Sequence, residues 1–97
     1  AVIGMMQDKD TESFVGALEA VVSRWYSVGL QTDRASTAQE LARRIASVIG
    51  LQRVTTCASV ADAIKRLKAE ARPGDRVLVC GSFHTVAEWA SLNPEFD

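Results

Sequence analysis

RVLVCGSFHTVAEW, residues 76–89, reads as a strand, a tight turn and the start of a helix. Arg76 to Cys80 reads as the strand, a short and largely apolar run of the kind that is buried in a parallel sheet. Gly81-Ser82 breaks the run. Phe83 to about Ala90 then continues as a helix, with Ser82 at its N-cap position. A strand that passes through Gly-Ser into a helix turns backbone N–H groups toward a place where an anion can sit. The remainder of the chain reads as a scaffold that holds this turn beside a second one, GMMQDKD at residues 4–10.

Outward from residue 76, Arg72-Pro73-Gly74-Asp75 carries Pro and Gly at the two central positions of a type II turn. Before it, Ser59 caps a helix. Val60, Ala63, Ile64, Leu67 and Ala71 form its apolar stripe, and Lys65, Arg66 and Lys68 its wet side. Leu51 to Cys57 reads as a strand. Ser36 with Gln39, and Thr37 with Glu40, offer overlapping capping signatures for a helix that runs to about Ile49, where Gly50 stops it. Leu30 to Ala35 is a polar loop. Val22 to Gly29 is rich in β-branched and aromatic residues and reads as a strand. Asp10 or Thr11 caps a helix whose apolar face holds Phe14, Leu18 and Val21 or Val22. Ala1 to Gly4 is a short buried strand, with Met5-Met6 as its extension. At the other end Asn93-Pro94 terminates the last helix, and the tail is expected to fray.

The order β-α-β-α-β-α-β-α predicts an α/β fold: a Rossmann-like three-layer αβα domain with a mostly parallel, four-stranded sheet. Ligands of such sheets bind beyond the carboxyl ends of the strands. Gln7 to Asp10 and Gly81-Ser82 both fall at that end.

Composition excludes several classes. Of the 97 residues 47% are apolar and 24% charged, so the chain is a single folded domain rather than a disordered segment. A net charge of −1 gives no general attraction for nucleic acid or anionic membrane. No apolar run reaches the roughly 18 residues of a membrane helix, and no signal-peptide pattern is present. A cytoplasmic location is expected, with Cys57 and Cys80 as reduced structural thiols. One histidine and no C-x-x-C argue against a zinc site. The chain opens directly in the apolar run Ala1-Val2-Ile3, which reads as an excised or truncated domain.

Four positions could carry binding chemistry. Gly81 lets a ligand or a neighbouring backbone come close. Ser82 either caps its helix or also contacts a ligand. The sequence is neither a P-loop nor a dinucleotide fingerprint. Lys9, between Asp8 and Asp10, is a point charge for a carboxylate or phosphate, or else part of a solvated loop. His84 has no evident nucleophile or carboxylate to work with and can line the rim of a pocket. From these residues alone the reading is a half-open α/β ligand-binding domain with an anion-friendly turn.

Two segments carry a family resemblance. VLVCGSFHTVAE at residues 77–88 resembles the G-S-F-x-T-V motif of the folylpolyglutamate synthase and dihydrofolate synthase family, within the Mur-ligase-like superfamily. AVIGMMQDKD at residues 1–10 resembles that family's G-M-x-x-D-K-D strand end. Arg24-Trp25-Tyr26 ahead of Gly29-Leu30, and Arg34-Ala35-Ser36 entering a helix, also fit. The resemblance spans nearly the whole chain and implies an ATP-dependent amide ligase. A carboxylate is activated as an acyl phosphate, and the amino group of L-glutamate attacks it, either on dihydropteroate or on folate.

Only the C-terminal domain of that family is matched, so residues 1–97 are expected to be one glutamate-binding domain. The resemblance places ATP, Mg2+ and the dihydropteroate or folate mainly on an N-terminal P-loop domain, and implies no cofactor for this chain and a monomeric full-length enzyme. It carries glutamate binding onto Lys9 and Ser82, with Asp8, Asp10, Gly81, Phe83 and His84 as possible pocket-lining residues, no catalytic residue and no metal ligand. The family's preceding D-x-A-H-N-P-like strand is not matched. Its absence implies an unpaired sheet position, to be met by self-association or rearrangement. The competing reading is a non-catalytic doubly wound binding module. A receiver-like or flavodoxin-like domain fits less well, because the last strand ends in Gly-Ser rather than in a lysine.

Overall fold

Strands and helices alternate along the chain in the computed structural model, which describes residues 1–96. The elements are β1 (Val2–Ile3), α1 (Thr11–Leu18), β2 (Trp25–Val28), α2 (Ala38–Ile49), β3 (Val54–Cys57), α3 (Val60–Glu70), β4 (Val79–Cys80) and α4 (Phe83–Leu92). A 3-10 turn, Leu51–Arg53, joins α2 to β3. All four strands are parallel, in the order β3-β2-β1-β4. The first and last strands of the chain are therefore neighbours, with Val2 opposite Val79 and Ile3 opposite Cys80. No gap separates the four strands; the unpaired positions are the outer edges of β3 and β4.

The alternation of side chains along each strand builds two cores. Val2, Tyr26, Val28 and Cys57 face α3, where Val60, Ala63, Ile64 and Leu67 cover them, with Trp89 of α4 alongside. Ile3, Met5 and Trp25 face the other way, onto Val15 of α1 and Leu41 and Ile45 of α2. This is the expected three-layer arrangement. The helix starts follow the side-chain chemistry. Asp10 caps α1, Thr37 rather than Ser36 caps α2, and Ser59 and Ser82 cap α3 and α4. Gly50 takes a positive φ of 88° and ends α2. Gly74 has φ 92° and Asp75 N–H bonds Arg72 O at 3.0 Å, as a Pro-Gly type II turn requires.

The strands are shorter than the sequence suggests, for identifiable reasons. Met5 and Met6 leave β1 to pair with another loop: Met6 bridges Ala35 in antiparallel sense, and Ser36 N–H donates to Met5 O at 2.8 Å. Val21 and Val22 fold back on α1, both N–H groups donating to Leu18 O at 3.0 Å. Arg53 holds that turn by donating to the carbonyls of Glu19, Val22 and Ser23. This places Leu51–Arg53 in a turn rather than in β3. The tail does not fray at once. Asn93 closes α4 in the left-handed region, and the Phe96 ring stacks on Trp89 with centroids 6.0 Å apart.

Both cysteines are free. They sit on the two edge strands, β3 and β4, with β2 and β1 between them. Burial pushes the Cys57 thiol up to about 11. The unfolded chain loses that proton near pH 9 while the folded chain keeps it, so the unfolded state binds fewer protons above pH 9. The contribution of Cys57 to stability is therefore level below about pH 9 and falls between about 9 and 11. A chromogenic thiol reagent at pH 8 is expected to leave Cys57 unmodified in the native protein and to modify it after unfolding; rapid native modification of Cys57 would contradict its burial.

Candidate functional site

Three loops meet at the carboxyl end of the sheet. They are residues 4–10 after β1, 29–37 after β2 and 81–82 after β4. The contact between the first and third is very close. Gly81 has φ 101°, and a Cβ there would lie 2.3 Å from Gly4 O and 2.9 Å from Met5 Sδ. The Thr85 hydroxyl, on the first turn of α4, donates to the same Gly4 carbonyl at 2.9 Å. The first and second loops are stitched along their length. Gln7 N–H donates to Arg34 O at 2.8 Å, and Gln7 Nε2 to Ala35 O at 3.3 Å. The second loop also reaches α4, through Gln31 N–H and the Glu88 carboxylate at 3.1 Å.

Within this end, Lys9 combines a fixed backbone with an exposed side chain. Its N–H donates to Met6 O at 3.2 Å. Its carbonyl accepts from Thr11 N–H and from Arg44 Nη2, each at 3.0 Å. Arg44 is itself anchored by an ion pair with Glu12 at 2.9 Å. That pair holds the Glu12 carboxyl below its usual value, chiefly through the hydrogen bond from Arg44. Among the described residues the Lys9 ammonium is in no ion pair. The turn therefore presents an ammonium from a fixed base.

Ser82 is half-buried and extended, and its Oγ accepts from His84 N–H at 3.1 Å. Capping uses an oxygen lone pair and leaves the hydroxyl proton free to donate. The cap and the ligand contact are thus compatible in one side chain. The positive end of α4 lies at the same point, which favours an anion there.

The remaining candidates divide. Asp10 spends both carboxylate oxygens on Ser13, at 3.1 Å to its N–H and 2.7 Å to its hydroxyl. The Ser13 hydroxyl first, then its N–H, hold that carboxyl below the ordinary range. Asp10 is accordingly a helix cap. Asp8 is exposed on the same turn as Lys9, and His84 is exposed on α4. Phe83 is 94% exposed, its ring packed against nothing that would hold it in place. Gly81 packs backbone against backbone. Sequence reasoning did not find Arg44, Thr85 or the bridge from Met6 to Ala35. Arg44 reads as one more charge on the wet face of a helix, and the other two are long-range pairings with no local pattern. Among the described residues no three His, Cys, Asp or Glu side chains group as a metal site, and no helix is long and apolar enough to cross a membrane.

Comparison with known proteins agrees with the fold. The family described as Mur ligase, glutamate ligase domain, matches residues 1–83. The dihydrofolate synthase/folylpolyglutamate synthase of Escherichia coli is 41% identical over 87 residues, which cover 90% of this chain and 19% of that protein. Its counterpart in Haemophilus influenzae is 37% identical over 91 residues, 93% of this chain and 21% of that protein. The chain spans about a fifth of the length of these relatives. Among solved structures, E. coli FolC in complex with DHPP and ADP superposes with a TM-score of 0.80 at 38% identity, covering 95% of this chain and 22% of that one. The bifunctional folylpolyglutamate synthase/dihydrofolate synthase from Yersinia pestis, complexed with AMPPNP and Mn ion, gives 0.78 at 34% identity, covering 95% and 21%.

Proposed function

The chain belongs to the family of Mur ligase glutamate ligase domains, and from that premise we propose that it is the glutamate-binding domain of an ATP-dependent dihydrofolate synthase/folylpolyglutamate synthase. The observation that carries the reading is the meeting of the Lys9 loop and the Gly81-Ser82 turn at the carboxyl end of the parallel sheet, joined at the Gly4 carbonyl. An ammonium on a fixed backbone, a free hydroxyl proton and a helix N-terminus supply what a carboxylate needs.

In this reading Lys9 and Ser82 hold a carboxylate of the incoming L-glutamate. Its amine is left facing outward, toward a dihydropteroyl or folyl acyl phosphate on another domain of the same cytoplasmic, monomeric enzyme. The amine nitrogen attacks the acyl carbon, inorganic phosphate leaves with the carbon–oxygen bonding pair, and the ammonium protons pass to solvent. No side chain of this domain acts as nucleophile or base. Its contribution is orientation, completed when the domains close. In this reading the ATP and divalent metal of such a ligase are held mainly by the other domain.

The test is an ADP-release assay with ATP, dihydropteroate or folate, and L-glutamate. The full-length protein that carries this chain is expected to release ADP in a glutamate-dependent manner and to form a new amide. Residues 1–97 alone are expected to give none. Turnover by the isolated chain would overturn the division of labour. A full-length protein without glutamate-dependent ADP formation would favour the non-catalytic binding module.

A further inference from the structure

Thr85 sends its hydroxyl out of its own helix. Buried threonines in helices ordinarily return Oγ to a carbonyl one turn back. The Thr85 side chain, with no exposed surface, instead donates to Gly4 O at 2.9 Å, 81 residues away in the chain. Its backbone N–H donates to Ser82 O at 3.1 Å. The residue that grips the end of β1 thus also closes the turn directly behind Ser82. On the β1 side, Gly4 continues into Met5 and Met6, and Met6 O accepts from Lys9 N–H at 3.2 Å. Gly81 presses on the same Gly4 carbonyl at a distance that excludes a Cβ. Threonine hydroxyl and glycine backbone therefore fix the Gly4 carbonyl together, and the hydroxyl is the directional member of the two.

We propose that Thr85 is a positioning residue of the glutamate site, setting the separation between the Ser82 hydroxyl and the Lys9 ammonium through the Gly4 carbonyl. The inference rests on the glutamate-binding reading above and goes beyond it, since Thr85 touches no substrate. A misplaced pair would still fold and still close with the other domain. It would hold glutamate less well and leave the nucleotide and pterin sites, on another domain, unaffected.

Thr85→Val keeps the shape and removes the donor. In the full-length ligase it is expected to raise KM for glutamate about fivefold to tenfold, with KM for ATP and pterin within about twofold of the parent, since losing a hydrogen bond costs a comparable factor. Thr85→Ser restores the donor and is expected to return KM for glutamate to within about twofold. In a Ser82→Ala background Thr85→Val should add less than about twofold, because residues acting as one unit are not additive. Should the valine variant not accumulate as folded protein, Thr85→Ala is read in the same way. Parent-like glutamate kinetics in the valine or alanine variant would overturn the proposal. So would an equal rise in all three KM values with no rescue by serine, which is the mark of a purely structural residue. These outcomes leave the ligase reading standing. A parent enzyme without glutamate-dependent ADP release overturns that reading, and the inference with it.

Discussion

Lys9→Ala in the proposed full-length ligase is expected to raise KM for glutamate about 10- to 100-fold, with KM for ATP unchanged. A hydrogen bond to a charged group contributes about 1.5–3 kcal/mol, and about 1.4 kcal/mol is a factor of ten. The size depends on the ammonium being presented from a fixed base, because Arg44 and Thr11 hold the carbonyl of the same residue. Since the Lys9 side chain is exposed, the substitution should leave the melting temperature almost unmoved. Ser82→Ala separates the two roles differently. It should raise KM for glutamate as well, and it should also destabilise α4 by about 1 kcal/mol through loss of the cap. Initial-rate kinetics with glutamate varied, together with thermal melts, measure both. Unchanged glutamate kinetics in the two variants would remove the pair from the site.

Gly81→Ala is expected to destabilise the fold by about 2–6 kcal/mol. Two costs of about 1–3 kcal/mol each contribute. One is a side chain at an unfavourable backbone conformation, here φ 101°, and the other is overpacking, here a Cβ 2.3 Å from the Gly4 carbonyl. The atom in the way is backbone, held from the other side by Thr85, so it cannot move aside cheaply. Gly16→Ala is the matched control. It lies in α1 with nothing within 4 Å of a new Cβ, so the same substitution should stabilise by about 0.5–1 kcal/mol. Urea denaturation of both variants checks the opposite signs. A Gly81→Ala protein as stable as the parent would mean that the approach of β1 to the turn is looser than described.

Much of the fold can be read from local chemistry. Ser82, Ser59 and Asp10 announce helix starts because a side-chain oxygen must meet an orphan N–H within three residues. Gly50 and Gly74 announce turns because their positions require positive φ. The sheet's carboxyl end, and with it the two candidate loops, follows from the strand–helix alternation. Strand ends are harder to place. Val21 and Val22 have strand-like side chains yet fold back onto α1, because Arg53, about thirty residues later, binds the carbonyls of that turn. Met5-Met6 resemble more strand yet pair with Ala35, a partner that no local pattern identifies. In the site, charge and motif indicate Lys9 and Ser82. The choice between cap and contact for Asp10 needs the two bonds to Ser13.

The pairing of β1 with β4 has a consequence for how the domain comes into being. Gly4 and Thr85 are joined across 81 residues, and β1, one of the two inner strands, waits for β4 before it is flanked on both sides. Closing so large a loop has an entropic cost that must be met before the contact repays it, which slows folding relative to a chain of local contacts. During synthesis the Lys9 loop emerges before the Gly-Ser turn, with α1 to β4 made between them. The two candidate loops therefore meet only once β4 has paired with β1, and a chain cut short before β4 leaves the Lys9 loop without that neighbour.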